Sequence, residues 1–216
     1  MALNLNKKEV ARNKNKGLIL AAAEKLFSQA GYDGASMSMI AREANVPKAN
    51  VLYYFKTKDN LYEAVLDRII GVWNLGLENA TLASDPAVTL HRYIKLKIKL
   101  AIENPKLSRL FASEVIRGAP YLQDYFRNNT RPWIKEITAL FQAWIDAGKM
   151  NKVDPNHLLF AIWSTTQYYA DFQAEVLVVL NKLEYEDSDI DDITRSVSQI
   201  ILNGVGLKLP ELETKE

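Results

Sequence analysis

The sequence predicts an all-α protein, with a small N-terminal unit of three short helices and a larger helical C-terminal unit. Apolar residues recur every three or four positions through most of the 216 residues, which is the period of an α-helix. No segment shows the alternation of apolar and polar residues that is typical of a strand. The predicted boundaries coincide with prolines, glycines and side chains that cap helices.

Composition limits the chemistry that the chain can perform. The charges nearly cancel, with 27 Lys+Arg and 26 Asp+Glu, and the hydrophobic fraction of 48% is ordinary for a globular protein. Because the chain has no cysteine, it has no disulfide, thiolate zinc site, iron–sulfur cluster or cysteine nucleophile. His91 and His157 are far apart in the sequence, so we expect no histidine-rich metal site and no cofactor.

The chain carries no pattern of a secretory signal or a membrane span. Residues 1–16 are polar and basic, without the apolar stretch of a signal peptide. The longest apolar stretch, 158–180, contains Gln167, Asp171, Gln173 and Glu175, which a membrane span would tolerate poorly. We therefore expect a soluble, cytoplasmic protein.

Four helices are predicted in the first 81 residues. The first covers about 17–30, and Gly31 is placed to end it in the left-handed conformation. Ser36 or Ser38 is the expected N-cap of a second helix that runs to about Asn45. Pro47 is well placed to begin a two-turn helix over about Lys48–Phe55, and Thr57 is the expected N-cap of a long helix over about 58–81.

The remaining boundaries are marked by prolines and glycines. Asp85-Pro86 and Asp154-Pro155 each pair a capping carboxylate with a proline at the first helical position. Asn104-Pro105 and Gly118-Ala119-Pro120 separate further helices. The last three helices are predicted over about 132–147, 155–180 and 190–207.

The charge is distributed unevenly along the chain. Residues 1–58 carry ten basic and four acidic side chains, a net charge of +6, whereas the remainder carries 17 basic and 22 acidic, a net charge of −5. A basic head on an acidic body indicates that the head binds a polyanion, although a solvated lysine-rich face would give the same count. We predict one domain over 1–58 and a second over 59–216.

The three short helices in the first 55 residues, with a four-residue turn between the second and third, match a helix-turn-helix. Residues 18–66 resemble the DNA-binding domain of TetR-type regulators. The segments that carry the resemblance are Ile19–Phe27, Gly31-Tyr32, Ile40-Ala41, Val46–Asn50 and Tyr53–Lys58.

Further segments resemble a subgroup of this family that regulates pyrimidine utilisation. They are Leu52–Phe55, Tyr93–Lys97, Ser108–Phe111, Gly118–Pro120 and Ile162–Phe172. The resemblance implies a homodimer that binds a double-stranded DNA operator, is released by uracil or thymine, and controls genes of pyrimidine and nitrogen metabolism. A different planar small molecule is the alternative effector.

The third helix is expected to enter the major groove, where each base pair presents a distinct pattern of donors and acceptors. Its N-terminal side chains reach the base edges in such a complex. Here they are Pro47, Lys48, Ala49 and Asn50. Lys48 can donate to guanine, Asn50 can pair with adenine or bind phosphate, and Ala49 allows close approach to a thymine methyl group.

Phosphate contacts are expected around this helix. Tyr53 and Tyr54 can place hydroxyl groups on phosphates, although either ring can instead pack in the core. Lys58 lies in the first turn of the next helix, where a cation is unfavourable unless an anion is bound. By resemblance, Ser36 also touches phosphate, and Ser38 is included in the predicted DNA-binding set.

The predicted effector site comprises Trp73, Trp163 and Gln167. Trp163 and Gln167 are four residues apart and so project from one face of a helix. The carboxamide can pair with the imide edge of a pyrimidine while an indole packs against its ring. The alternative is that both tryptophans belong to the core and that Gln167 only binds backbone.

The last two predicted helices carry apolar residues on more than one face, so they must bury them in the core or against a partner. These residues are Leu177, Val178, Val179, Leu180, Ile193, Val197, Ile200, Ile201 and Val205. By resemblance, the two helices form a four-helix homodimer interface.

Two other functional classes compete with a DNA-binding regulator. Asp187, Asp189, Asp191 and Asp192 could hold magnesium in an all-helical enzyme, although carboxylates at a helix N-terminus are also explained by the helix dipole. We expect no enzyme, because no second acidic motif and no nucleophile elbow accompany the cluster. A helical adaptor that binds only protein is the third possibility.

Overall fold

The computed structural model describes residues 2–211 and the side chains of residues 13–211. Every regular element in the described part of the chain is helical, as predicted. The helices are α1 (Ala2–Gly34), α2 (Met37–Glu43), α3 (Lys48–Phe55), α4 (Lys58–Asn74), α5 (Pro86–Glu103), α6 (Pro105–Ile116), α7 (Gln123–Tyr125), α8 (Arg131–Asp146), α9 (Pro155–Asp171), α10 (Gln173–Val179) and α11 (Asp187–Gly204). A π-helical segment, Phe126–Thr130, joins α7 to α8. No helix among the described residues is long and apolar enough to cross a bilayer.

The chain divides into two compact units. The first comprises residues 1–70 and 109–123, and the second comprises residues 71–108 and 124–216. Residues 109–123 thus join the N-terminal unit although they are distant from it in sequence.

In the N-terminal unit, α1 buries Ile19, Ala22, Ala23 and Phe27 on one face. Gly31 has a φ of 69°, so the chain leaves helical geometry there as predicted. The prediction that this helix begins near residue 17 was wrong, because the helix extends back to Ala2.

Capping side chains define the short helices that follow. The Ser36 hydroxyl accepts a hydrogen bond from the Met39 N–H at 3.2 Å, so Ser36 is the N-cap of α2 and Ser38 lies inside the helix. The Thr57 hydroxyl accepts from the Asn60 N–H at 3.1 Å and caps α4. The two-turn helix α3 covers Lys48–Phe55 as predicted, and Pro47 lies at the cap position directly before it rather than at its first helical position.

An aromatic cluster fills the core of the N-terminal unit. Tyr62 packs edge-to-face with Phe27, Tyr32 and Tyr121, with ring centroids 4.9, 5.0 and 5.3 Å apart. Glu114 is fully buried beside it, where it accepts a hydrogen bond from the Tyr121 N–H at 2.9 Å. Tyr62 and Arg117 donate to the same carboxylate at 3.4 Å, so the buried charge is compensated.

The core of the second unit lies between α5, α8, α9 and α11. Its largest fully buried side chains include Tyr93, Phe141 and Trp144, packed with Leu159, Ile162 and Leu202. The Trp144 indole N–H donates to the Thr81 carbonyl at 3.2 Å. Between α5 and α11, the His91 ring and the Ser198 hydroxyl share a buried hydrogen bond of 2.9 Å. Asp85 and Asp154 cap α5 and α9 as predicted.

Two predicted helices are shorter than expected because tertiary contacts end them. The long helix after Thr57 stops at Asn74, and the following turn brings Gly76 so close to Tyr93 that a Cβ there would lie 2.7 Å from the ring. The predicted helix over 155–180 breaks at Phe172 into α9 and α10. Next to the break, the Tyr185 hydroxyl donates to the Tyr169 carbonyl at 3.0 Å. Neither contact can be read from apolar periodicity.

Replacing the two candidate capping serines separately tests the cap assignment. Ser36→Ala should lower the free energy of unfolding by about 1 kcal/mol, because the Met39 N–H loses its acceptor. Ser38→Ala removes an exposed hydroxyl inside the helix and should change stability little. Urea unfolding followed by circular dichroism measures both, and equal losses in the two variants would contradict the assignment.

Candidate DNA-binding and ligand-binding sites

The first turn of α3 is presented to solvent because the rest of that helix is anchored from behind. Val51 and Phe55 are buried on the inward face of α3. Ile40 and Ala41 of α2 are also buried, and the turn closes with the Val46 N–H donating to the Ala41 carbonyl at 3.0 Å. Asn45 adopts a φ of 52° in this turn, a conformation that asparagine tolerates better than most residues.

The predicted base-reading residues lie on the outward face of α3. Pro47, Lys48 and Ala49 are exposed, and Asn50 is half-buried. Each of the first three can therefore be reached by another molecule without any change in the packing of Val51 or Phe55. A major-groove reader likewise presents the N-terminal side chains of its recognition helix to the solvent.

The two tyrosines of α3 differ in exposure. Tyr53 is 73% exposed, whereas Tyr54 is half-buried and its ring lies between those of Tyr53 and Phe55, at centroid distances of 5.2 and 6.5 Å. The core-packing alternative therefore does not apply to Tyr53.

Lys58 has a partner within the protein that the sequence did not indicate. Its ammonium lies 4.2 Å from the centroid of the Tyr32 ring, a cation–π contact, and the Tyr32 hydroxyl donates to Asp59. This hydrogen bond is the largest cause of a pKa of Tyr32 raised above its ordinary value. A cation in the first turn of α4 is thus stabilised without phosphate.

In the second unit, Trp163 sits in an aromatic cluster. Its ring stacks on Trp133 with centroids 6.2 Å apart and contacts Phe160 at 5.7 Å. Its indole N–H donates to the Tyr93 hydroxyl at 2.8 Å. Burial raises the pKa of Tyr93, so the hydroxyl stays neutral. Trp163 can therefore supply a ring face to a ligand, but its N–H is already engaged.

Trp73 forms a cation–π contact with a buried lysine. The Lys97 ammonium lies 4.3 Å from the centroid of the Trp73 ring, and the lysine is only 4% exposed. Burial lowers the pKa of Lys97 to about 7, and the charge of Asp171 opposes that shift in part. The Ser108 hydroxyl donates to the Asp171 carboxylate at 2.7 Å.

The helical register places Gln167 between these two sets of contacts. Tyr93 and Lys97 are one turn apart on α5. Tyr93 is hydrogen-bonded to Trp163 of α9, and Lys97 is attracted by the charge of Asp171, which lies further along α9. Gln167 is one turn after Trp163 and one turn before Asp171, so it projects from the same face of α9. None of the described residues is hydrogen-bonded to its carboxamide.

Sequence reasoning missed Tyr93, Lys97, Ser108 and Asp171 as members of this region. A signal was present for Lys97, because it follows Tyr93 by one turn inside the apolar stripe of Leu90, Ile94 and Ile98. A separate cavity of about 390 Å³, next to Gly76 and Leu96, is not lined by Trp73, Trp163 or Gln167.

The acidic cluster of the competing enzyme hypothesis is paired with cations and backbone. Asp189 accepts from Lys182 at 2.7 Å and from the Glu186 N–H at 2.8 Å, and the latter bond is the largest cause of its lowered pKa. Asp191 pairs with Lys95 at 2.8 Å. Within the described residues, no group of three His, Asp or Glu side chains could hold a metal ion.

The apolar residues of the last helices are divided between the core and the surface. Val197, Ile201 and Val205 are buried in the second unit. Val178, Val179, Leu180 and Ile200 are more than half exposed. The exposed set is the excess apolar surface that the sequence predicted.

Comparisons with known proteins agree with this architecture. Residues 19–65 match the family model "Bacterial regulatory proteins, tetR family", and residues 66–208 match "YcdC-like protein, C-terminal region". The HTH-type transcriptional regulator RutR of Escherichia coli K12 is 37% identical over 199 residues, which cover 92% of this chain and 94% of that protein. The HTH-type regulator YhgD of Bacillus subtilis is 25% identical over 68% of this chain and 78% of that protein.

Solved structures share the fold at low sequence identity. A TetR-family transcriptional regulator from Haemophilus influenzae has a TM-score of 0.64 and 20% identity, over 88% of this chain and 97% of that one. A TetR-family regulator from Pseudomonas syringae has a TM-score of 0.61 and 20% identity, over 88% of this chain and 95% of that one.

The two family models together span nearly the whole chain, and the matched proteins are transcriptional regulators rather than enzymes or adaptors. The helix-turn-helix of α2 and α3 and the helical second unit are those of a ligand-responsive DNA-binding regulator, and the chain belongs to the TetR family.

Proposed function

We propose that this regulator binds a pseudo-palindromic operator as a homodimer and is released from it by a pyrimidine, uracil or thymine, thereby controlling genes of pyrimidine and nitrogen metabolism. The observation that carries the DNA-binding part is the exposed first turn of α3, anchored by Val51 and Phe55. The pyrimidine part is supported by the similarity to RutR over 92% of the chain, together with the ring and amide groups on the facing sides of α5 and α9.

Each α3 would read one half-site. Lys48 and Asn50 would donate to base edges, and Ala49 would allow the backbone to approach. Tyr53 would reach a phosphate with its exposed hydroxyl, while Ser36, Ser38, Tyr54 and Lys58 would lie along the backbone of the duplex. One two-turn helix makes few base contacts, so specific binding requires two copies about one helical turn (roughly 34–36 Å) apart or somewhat further.

The homodimer would be built on the exposed apolar residues of the last two helices. Val178, Val179, Leu180 and Ile200 are exposed, and continuous apolar surface of this kind is commonly covered by a second copy.

Release by the ligand requires a difference in affinity between two states of the dimer. A pyrimidine bonded to Gln167 and packed between tryptophan rings would tie the Trp73 segment to α9. The ligand must then prefer the state whose two α3 helices misfit the operator.

A different planar heterocycle is the alternative effector. The aromatic walls would accept any flat ring, so the choice of ligand depends on the polar groups that face it. A thermal-shift screen of nucleobases distinguishes the alternatives, because a ligand that binds the folded state raises the melting temperature. Operator selection from random DNA, with and without the ligand found, identifies the target sequence.

Substitution in the first turn of α3 should weaken specific DNA binding. Lys48→Ala and Asn50→Ala should each lower operator affinity about 5- to 150-fold, the value of roughly 1–3 kcal/mol for a base contact. The control Lys152→Ala removes an exposed lysine of the second unit. Fluorescence anisotropy with the selected operator measures all three, and unchanged affinity in both α3 variants would contradict the assignment.

Operator binding should weaken steeply as salt rises, because phosphate contacts release counterions from the duplex. The slope of log affinity against log salt concentration should be markedly negative for the intact protein. Replacing Lys58 by Ala should make the slope shallower by about one unit if the ammonium binds phosphate. An unchanged slope would mean that Lys58 serves only its contact with Tyr32.

The response to ligand should depend on Gln167. Gln167→Ala should abolish release by uracil and leave operator binding intact, because the carboxamide provides both a donor and an acceptor to the imide edge. The matched control is Gln142→Ala, which removes an exposed glutamine bonded to Asp146 on α8. If the Gln167 variant is still released at the concentrations that act on the wild type, this assignment is incorrect.

A further inference from the structure

Lys97 is a buried cation of the second unit, and its closest recorded contact within the described residues is an aromatic ring. It is 4% exposed, and its ammonium faces the Trp73 ring at 4.3 Å. Among the described residues, no oxygen accepts a hydrogen bond from it. A buried ammonium loses its hydration, and one cation–π contact replaces only part of that loss.

The surroundings of Lys97 do not supply the missing acceptor. Asp171 of α9 is the charged group whose attraction acts on the Lys97 ammonium. The Asp171 carboxylate already accepts a hydrogen bond from Ser108 of α6. Tyr93 lies one turn earlier on α5 itself, and its hydroxyl is engaged by Trp163. The hydrogen bonds between α5 and α11 are made by His91 and Lys95, with Ser198 and Asp191.

The position of Lys97 relates it to the proposed ligand site. The Lys97 ammonium contacts the Trp73 ring. Tyr93, which is hydrogen-bonded to Trp163, lies one turn before Lys97 on α5. Asp171, whose charge acts on Lys97, lies one turn after Gln167 on α9. Lys97 is thus in contact with Trp73 and is linked to Trp163 through Tyr93 on its own helix.

We propose that Lys97 is a specificity-determining residue of the ligand site: its ammonium donates a hydrogen bond to a carbonyl oxygen of a planar heterocycle that lies against Trp73. The ligand class is a ring that presents a strong acceptor next to the N–H group that Gln167 binds. This inference rests on the proposed function, since it assigns a further contact in the same site.

A Lys97 that binds ligand should titrate differently in the free and the bound protein, whereas a purely structural Lys97 should not. Burial lowers the pKa of Lys97 to about 7 in the free protein, so near neutral pH a large fraction of the amine is neutral. An acceptor that binds only the ammonium raises that pKa, and the protein then takes up a proton as the ligand binds. Ligand affinity should therefore fall as the pH rises above about 7, approaching tenfold per unit.

Isothermal titration calorimetry of the full-length protein with uracil tests this. At pH 7.5 to 8, the wild type should take up a fraction of a proton per uracil bound, seen as a dependence of the heat on the ionisation enthalpy of the buffer. Affinity should be lower at pH 8.5 than at pH 6.5. Measurements stay below pH 9 so that the ligand itself remains neutral.

Lys97→Met and Lys99→Met provide the matched comparison. Lys97→Met should weaken uracil binding at pH 6.5 at least about tenfold, as for the loss of a hydrogen bond to a charged donor, and should remove the proton uptake. Methionine fills a similar volume without a buried charge, so the variant should remain folded, which circular dichroism checks. Lys99 is exposed on the same helix and pairs with Glu103 at 3.7 Å, and its replacement should leave affinity and proton uptake unchanged.

The outcomes separate this inference from the proposed function. If the wild type binds uracil and Lys97→Met binds it with the same affinity, the inference is overturned and the pyrimidine proposal stands. The same holds if the affinity of the wild type for uracil is constant or rises with pH. Absence of any uracil binding by the wild type would overturn both.

Discussion

The proposed DNA-binding surface depends on the burial of one side of a two-turn helix. A helix of this length is not stable alone, because the cost of nucleation exceeds the gain from its few backbone hydrogen bonds. Val51 and Phe55 hold α3 in place from the inside, and the Ser36 and Thr57 caps fix where the neighbouring helices begin. The outward side of α3 is then not needed to hold the helix in place, so Lys48, Ala49 and Asn50 are available for recognition.

In the second unit, α5 buries polar as well as apolar side chains. Leu90, Tyr93, Ile94 and Ile98 belong to the core, and Tyr93 and Lys97 also make polar and cation–π contacts with Trp163 and Trp73. A buried lysine without an acceptor costs free energy, and proteins that retain one generally use it. This cost is the physical reason for assigning Lys97 to the proposed ligand site.

The fold class and most of the helix boundaries could be predicted because they rest on local chemistry. Asp85-Pro86 and Asp154-Pro155 begin helices through interactions within three residues, and Gly31 ends a helix because glycine accepts a positive φ. The long helices were overestimated where the periodicity continued past a break. At Asn74 and Phe172, the deciding contacts come from Tyr93 and Tyr185, which are distant in sequence.

The sequence by itself determined the all-helical fold, the helix-turn-helix and the identity of the residues on the outward side of α3, since these follow from spacing, capping and the period of a helix. Only the tertiary structure decided which polar side chains become buried together. The sequence does not show that Lys97, Ser108 and Asp171 lie in one region, because their partners are brought to them by the packing of α5, α6 and α9. Burial and distance set the energy of a charge, and neither quantity is local in sequence.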